Sequence, residues 1–228
     1  MKIGIIVAMR KELDLLLPLL ENRHETVKNN FTFHIGTVAG NDVVAMQCGI
    51  GKVNAAMGAL TLIDVFEPEI VINTGVAGGT GSDAGVLDVV IADRVAYHDF
   101  WCIGEEWGQV PGCPKYFETV NMHLLDDLNN PRVKRGLIAS GDLFVSKPSE
   151  VEFIRSVYPD VKAVDMESAA IAQVCNLKGV LFYCMRVISD TPGGADNISQ
   201  YENFWEDAPK RTFEILHTLL SRISDTPK

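Results

Sequence analysis

The sequence has no run approaching the roughly 20 apolar residues that a membrane-spanning helix needs. Its apolar N-terminal stretch, residues 3–9, is closed by Arg10, Lys11 and Glu12 before a signal-peptide core can form, so neither membrane insertion nor export is expected. Lys and Arg nowhere cluster. Twenty of them stand against 30 Asp and Glu, a formal charge of -10, which leaves no basic stripe to track a nucleic-acid backbone. The five cysteines, Cys48, Cys102, Cys113, Cys175 and Cys184, are odd in number, irregularly spaced and without a C-x-x-C pair. That argues against a disulfide framework or a zinc site and suits a reducing cytoplasmic compartment. Internal repeats, low-complexity tracts and linkers are also missing.

What remains is ordinary globular composition. With 47% hydrophobic and 22% charged residues over 228 positions, the chain can bury one sizeable core, and a single domain spanning residues 1–228 is expected. Residues 2–8 read as a buried strand, followed by leucines at helical spacing over 11–20 that Pro18 should end or kink. Alternating runs at 31–38 and 42–48 flank Gly40-Asn41 and predict an antiparallel hairpin. Residues 52–66 predict a helix stopping before Pro68. Further strands are expected at 69–73, 88–92, 135–139, 163–164 and 180–188, with helices near 149–157, 167–177 and 203–223. The fold class is α/β, a mixed central β-sheet flanked by helices.

Ligands of open α/β sheets bind beyond the carboxyl ends of strands, where backbone groups and helix N-termini converge. Glu12, the glycine-rich residues 75–79, Met166-Glu167 and Asp190 all fall at such ends. Each also has a plainer reading. Glu12, taken alone, reads sooner as a solvated first-turn carboxylate, while Glu167 reads equally as a helix cap and Asp190, before Thr191-Pro192-Gly193-Gly194, equally as the opening of a turn. Residues 75–79 resemble a backbone cradle but lack the ending of a P-loop. In Gly49-Ile50-Gly51-Lys52 the lysine reads as solvating its helix sooner than gripping phosphate. Arg186 lies in an otherwise apolar strand and must pair either with a structural carboxylate or with a ligand. Of the five histidines, His98, before Asp99 at a strand end, is the one placed for more than the surface.

In order, these segments resemble the nucleoside phosphorylase and hydrolase superfamily, and within it the 5'-methylthioadenosine/S-adenosylhomocysteine nucleosidases. The resemblance runs nearly end to end. It is carried by Lys2-Ile3-Gly4-Ile5-Ile6 with Ala8-Met9 and Glu12, Gly49-Ile50-Gly51-Lys52-Val53, Asn73-Thr74-Gly75 with Ala77-Gly78-Gly79, Tyr97-His98-Asp99, Gly136-Leu137-Ile138 with Ser140-Gly141-Asp142, Met166-Glu167, and Arg186 with Ile188-Ser189-Asp190.

The resemblance implies a nucleoside-phosphorylase-like fold and hydrolysis of an N-glycosidic bond, releasing adenine without metal or organic cofactor. It implies that Asp190 passes a proton to the leaving purine, that Glu167 steadies the ribose cation, and that Glu12 activates water with help from Arg186. It places Phe144 and Val145 around adenine, Met166 at the ribose hydroxyls, and Met9, Ile50 and either Tyr201 or Phe204 around the 5' group. Val76, Ala77, Gly78 and Ser189 complete the implied pocket. A small-molecule nucleoside is the implied substrate, and the implied state is a homodimer whose partner loop, residues 100–111 from Phe100 to Pro111, closes the 5' end; that assembly would explain two tryptophans, Trp101 and Trp107, in one loop. Val76 takes the place of a common serine, and Asp165 that of a usual glutamate. Hydrolysis of another adenine nucleoside such as aminodeoxyfutalosine, a phosphorylase, and an inactive nucleoside-binding module are the alternative readings.

Overall fold

In the computed structural model, residues 1–81, 83–120, 130–207, 215 and 217–222 are described. Strand β1 (Lys2–Val7) is followed by a short helix, α1 (Arg10–Leu16), which tightens into a 3-10 turn at Leu17–Leu19 where Pro18 removes a backbone donor. Strands β2 (Glu21–Lys28), β3 (Phe31–Val38) and β4 (Asn41–Gln47) form successive antiparallel pairs. The β3–β4 turn is made by Ala39 and Gly40, both at positive φ, one residue earlier than the sequence suggested, so Asn41 already belongs to the ladder. Helix α2 (Lys52–Phe66) ends at Glu67 in a left-handed conformation just before Pro68.

Strand β5 (Ile70–Gly79) runs through the whole glycine-rich segment that the sequence placed beyond the end of a strand at 69–73. β6 (Val89–Tyr97), β7 (Phe117–Glu118), β8 (Val133–Ser140), α3 (Pro148–Val157), β9 (Val161–Asp165), α4 (Ser168–Lys178), β10 (Leu181–Asp190) and α5 (Asn197–Asp207) follow. The last helical stretch thus starts six residues before the expected Asn203. Residues 215 and 217–222 are also helical, whereas 208–214, 216 and 223 of the expected helix lie outside the described residues.

β1 lies between β4 and β5 and is parallel to both. β10 runs parallel to β5 along its other edge, and from β10 the sheet continues through β6, β8 and β9. β9 returns to β5, pairing at Gly78 and Gly79. The sheet therefore closes into a ring through β5, β10, β6, β8 and β9, with β1, β4, β3 and β2 extending from it. On one edge β5 serves two neighbours: Ile70 to Asn73 pair with β1, and Gly78 and Gly79 pair with β9. Residues 74–77 lie in the gap between them.

The ring and its extension are covered by helices whose apolar sides face the sheet. Ala55, Ala59, Leu62 and Ile63 of α2 join Ala169, Ala172 and Cys175 of α4 in one core cluster. Leu13 and Leu16 of α1, Phe204 of α5, and Leu219 and Leu220 cover the opposite side. Val151 and Ile154 of α3 pack with Tyr158 over β8 and β9. Among the described residues no helix is long and apolar enough to cross a membrane.

Candidate active site

The gap along β5 is filled by a carboxylate. Glu12, in the first turn of α1, is buried, and its Oε2 accepts the N–H groups of Ala8 and Met9, each at 2.9 Å. Its Oε1 accepts the N–H of Val76 at 3.0 Å. The solvated-surface reading of Glu12 therefore fails. Glycine at position 75 permits this approach, since a Cβ there would lie 2.3 Å from Glu12 Oε1 and the residue has a φ of 153°. Burial raises the Glu12 carboxyl above its ordinary range, and the three amides and the Arg186 charge only partly offset it.

Glu167 occupies the N-cap position of α4, yet its side chain makes no cap hydrogen bond. Asp165 takes that role: its carboxylate accepts the Ser168 N–H at 3.2 Å and the Ser168 hydroxyl at 2.9 Å. Glu167 is free to turn into the cavity, where Oε1 accepts the Gly51 N–H at 2.9 Å. Burial, then the neighbouring Asp165 charge, raises Glu167 to about 7. The sequence marked Gly51 within the Gly49-Ile50-Gly51-Lys52 segment but not its pairing with Glu167, because a backbone donor leaves no mark in residue type.

Asp190 ends β10. It accepts the Ser189 hydroxyl at 2.5 Å and the side-chain N–H of Asn197 from the start of α5. Burial raises its carboxyl, against those two hydrogen bonds. Asn197 was another residue missed from sequence, where it looked like any polar helix start.

One cavity gathers these groups. Glu12, Glu167 and Asp190 line it together with Met9, Ile50, Val76, Ala77 and Gly78. Its remaining walls include Phe144, Val145, Met166, Ser189 and Tyr201, as well as Leu143, Val164, Asp165 and Pro192, which were not expected. Phe144 and Tyr201 meet edge to face at 5.5 Å. Of the two aromatic candidates on α5, Tyr201 faces the cavity and Phe204 is packed in the core.

Arg186 is not on the cavity wall. Its guanidinium lies behind it, fully buried, donating from Nε to Asp165 Oδ2 at 3.0 Å, from a terminal nitrogen to the same oxygen at 2.6 Å, and to the Asn73 side-chain oxygen Oδ1. Burial opposes its charge, but Cys184, Asp165, Glu167 and Glu12 outweigh that and keep it protonated. Val76 serves Glu12 through its amide. Lys52 reaches Asp99 at 2.7 Å and covers the Tyr97 ring, while His98 is buried away from the cavity. The two loop tryptophans separate: Trp107 donates to the His98 carbonyl and stacks edge-on against Phe153, whereas Trp101 is exposed.

The sequence pattern of the phosphorylase superfamily matches residues 2–221. A 5'-methylthioadenosine/S-adenosylhomocysteine nucleosidase from Geobacillus sp. (strain WCH70) is 42% identical over 98% of this chain and 99% of its own. The chain belongs to this nucleosidase family. Among solved nucleosidases, that of Streptococcus pneumoniae with a transition-state inhibitor superposes with a TM-score of 0.91 at 38% identity, covering 98% of this chain and 100% of that one. The Colwellia psychrerythraea nucleosidase in complex with adenine gives 0.89 at 36% identity, covering 97% and 95%. The nucleosidase fold is thus shared over essentially the full length.

Proposed function

We propose that the chain hydrolyses the N-glycosidic bond of 5'-methylthioadenosine and S-adenosylhomocysteine, releasing adenine. The observation that carries this reading is the convergence of Glu12, Glu167 and Asp190, from α1, α4 and β10, on one cavity with carboxyls all raised by burial. A purine leaves poorly as an anion, and an acid whose carboxyl burial raises, Asp190, lets it leave neutral by passing a proton to N7. The ribose then approaches an oxocarbenium ion. Glu167 stabilises that charge and, with the Met166 backbone, holds the ribose hydroxyls. Glu12 takes the proton of the water that attacks the anomeric carbon. Arg186 acts from behind, through Asp165 and its own field on both glutamates. Phe144 and Val145 form the adenine wall, and Met9, Ile50 and Tyr201 the wall of the 5' group.

Hydrolysis is favoured over phosphorolysis by the charge of the cavity. Its wall carries Glu12, Asp165, Glu167 and Asp190 and, among the described residues, no lysine or arginine, so a phosphate would meet repulsion at close range. The test is adenine release from both nucleosides, with and without inorganic phosphate, by the native chain and Asp190→Asn. Phosphate-independent release that falls by about 10²-fold or more in the variant fits the reading. A requirement for phosphate, or an unchanged rate in the variant, overturns it.

We also propose a homodimer, as the family resemblance implies, with residues 100–111 of the partner closing the cavity beside Ile50. Exposed apolar side chains on α2 and in the loop after β6 support it: Val53 is 70% exposed, and Trp101 and Ile103 are 58% and 82% exposed. Sedimentation of the native chain as a dimer, and of Val53→Glu as a monomer, is the expected outcome.

A further inference from the structure

The Gly51 amide that holds Glu167 is itself held from outside the cavity. The carboxylate of Asp142, in the loop after β8, accepts the Lys52 N–H at 2.7 Å and so caps α2, whose own N-cap residue is a glycine without a side chain. Asp99, after β6, accepts both the Asp142 N–H at 2.8 Å and the Lys52 ammonium at 2.7 Å. Leu143, Phe144 and Val145, immediately after Asp142, form one wall of the cavity. We propose that Asp142 is a positioning residue that fixes the Gly51 donor on Glu167 and, through the same loop, sets the spacing between the ribose carboxylate and the aromatic wall.

Three observations support the assignment. The capping carboxylate lies directly against Gly51, whose φ of 92° only glycine adopts freely, with Asp142 Oδ1 3.0 Å from where a Cβ would stand. Asp142 is half exposed, so its burial contributes little and its worth lies in what it holds. The Gly51 hydrogen bond also lowers the Glu167 carboxyl against burial. The charged and titratable groups facing Glu167 are Glu12 from α1, Cys48 after β4, Asp165 from β9, Arg186 from β10 and Tyr201 from α5. None of these touches Asp142 in any hydrogen bond or ion pair described above. Loosening the cap should therefore change Glu167 through the Gly51 donor.

The inference rests on the proposed role of Glu167, but its test does not require turnover. The Glu167 side-chain carboxyl is followed by carbon NMR in glutamate-labelled protein, assigned with Glu167→Gln, in the native chain and in Asp142→Ala and Asp142→Asn. Asp142→Ala is expected to move the Glu167 midpoint upward by roughly one pH unit. Asp142→Asn, whose amide oxygen still accepts the Lys52 N–H, should return it to near the native value, and adenine release at acidic pH should follow the same order. An unchanged Glu167 midpoint in folded Asp142→Ala overturns the proposal, as does an equal shift in Asp142→Asn. Should Asp142→Ala not fold, Asp99→Ala, which unties the same carboxylate one step further out, must shift the midpoint upward or the proposal fails. A native chain that titrates as expected but releases no adenine would overturn the proposed function and leave the positioning role standing.

Discussion

Glu12 Oε1 and the Val76 amide meet at 3.0 Å in the gap of the β5 edge where β1 has ended and β9 has not yet begun. The carboxylate thus replaces a missing strand partner. It satisfies a backbone donor that would otherwise be orphaned inside the protein, while its burial keeps its basicity high. Structure and proposed chemistry use the same two oxygens.

Gly75→Ala tests this coupling. The added Cβ would occupy the place of Glu12 Oε1, so the carboxylate must leave Val76 and shift from the cavity. Adenine release is expected to fall by about 10²-fold or more. Glu12→Gln, which preserves the shape but cannot take a proton, should lose activity to a similar extent with nucleoside affinity retained. Steady-state rates together with equilibrium binding of an unreactive nucleoside check both.

Asn197→Ala removes one of the two donors that stabilise the Asp190 carboxylate. Losing a hydrogen bond to the charged form raises a carboxyl further, so Asp190 should keep its proton to higher pH. The expected result is an alkaline limb of kcat/KM displaced upward, at a lower plateau because the carboxyl is less well oriented. A pH–rate profile of native and variant proteins checks it, and a downward displacement would contradict the sign.

Tyr201 places its hydroxyl 3.3 Å from the Met9 sulfur on the cavity wall, donating to a weak acceptor. Tyr201→Phe keeps the ring packed against Phe144 and is expected to change kcat/KM for methylthioadenosine by no more than about threefold. Tyr201→Ala strips that wall and should raise KM by about tenfold, in line with the apolar area lost. Comparison of a 5'-methylthio with a 5'-hydroxyl nucleoside shows whether the hydroxyl selects for polarity at this end.

What was readable in the sequence divides along physical lines. α2 was legible to the residue because an apolar face, a glycine before it and Pro68 after it all agree. β1 and β10 were legible as buried apolar runs. β2 was not: its residues are almost all exposed and it pairs only with β3, so no burial pattern marks it, although Asn29 and Asn30, both at positive φ, were a turn signal. The glycines of β5 hid a strand, because close approach by Glu12 and Pro192 requires the absence of side chains that a strand pattern would display. Glu12, Glu167 and Asp190 stood out by position at strand and helix ends. Gly51 acts through a backbone amide on a carboxylate 116 residues away and Asn197 through one side-chain hydrogen bond to Asp190, neither of which residue order records.

Glu167 also carries a cost to the fold whose sign can be measured. Its carboxyl is raised from 4.5 to about 7, so the folded protein binds this proton more tightly than the unfolded chain does. The fold gains from this group below about pH 4.5, loses the gain as pH rises toward 7, and above 7 bears the full cost of a buried charge. At about 1.4 kcal/mol for each pH unit, that cost is on the order of 3 kcal/mol. Glu167→Gln removes the charge and keeps an oxygen for the Gly51 amide. It should therefore raise Tm at pH 8, with the difference shrinking as pH falls through 7 and vanishing below about 4.5, while adenine release is lost. Thermal unfolding of the native chain and the variant at pH 4, 6 and 8 checks the trend; a variant less stable than the native chain at pH 8 would mean that the Arg186 charge, not burial, governs this carboxyl.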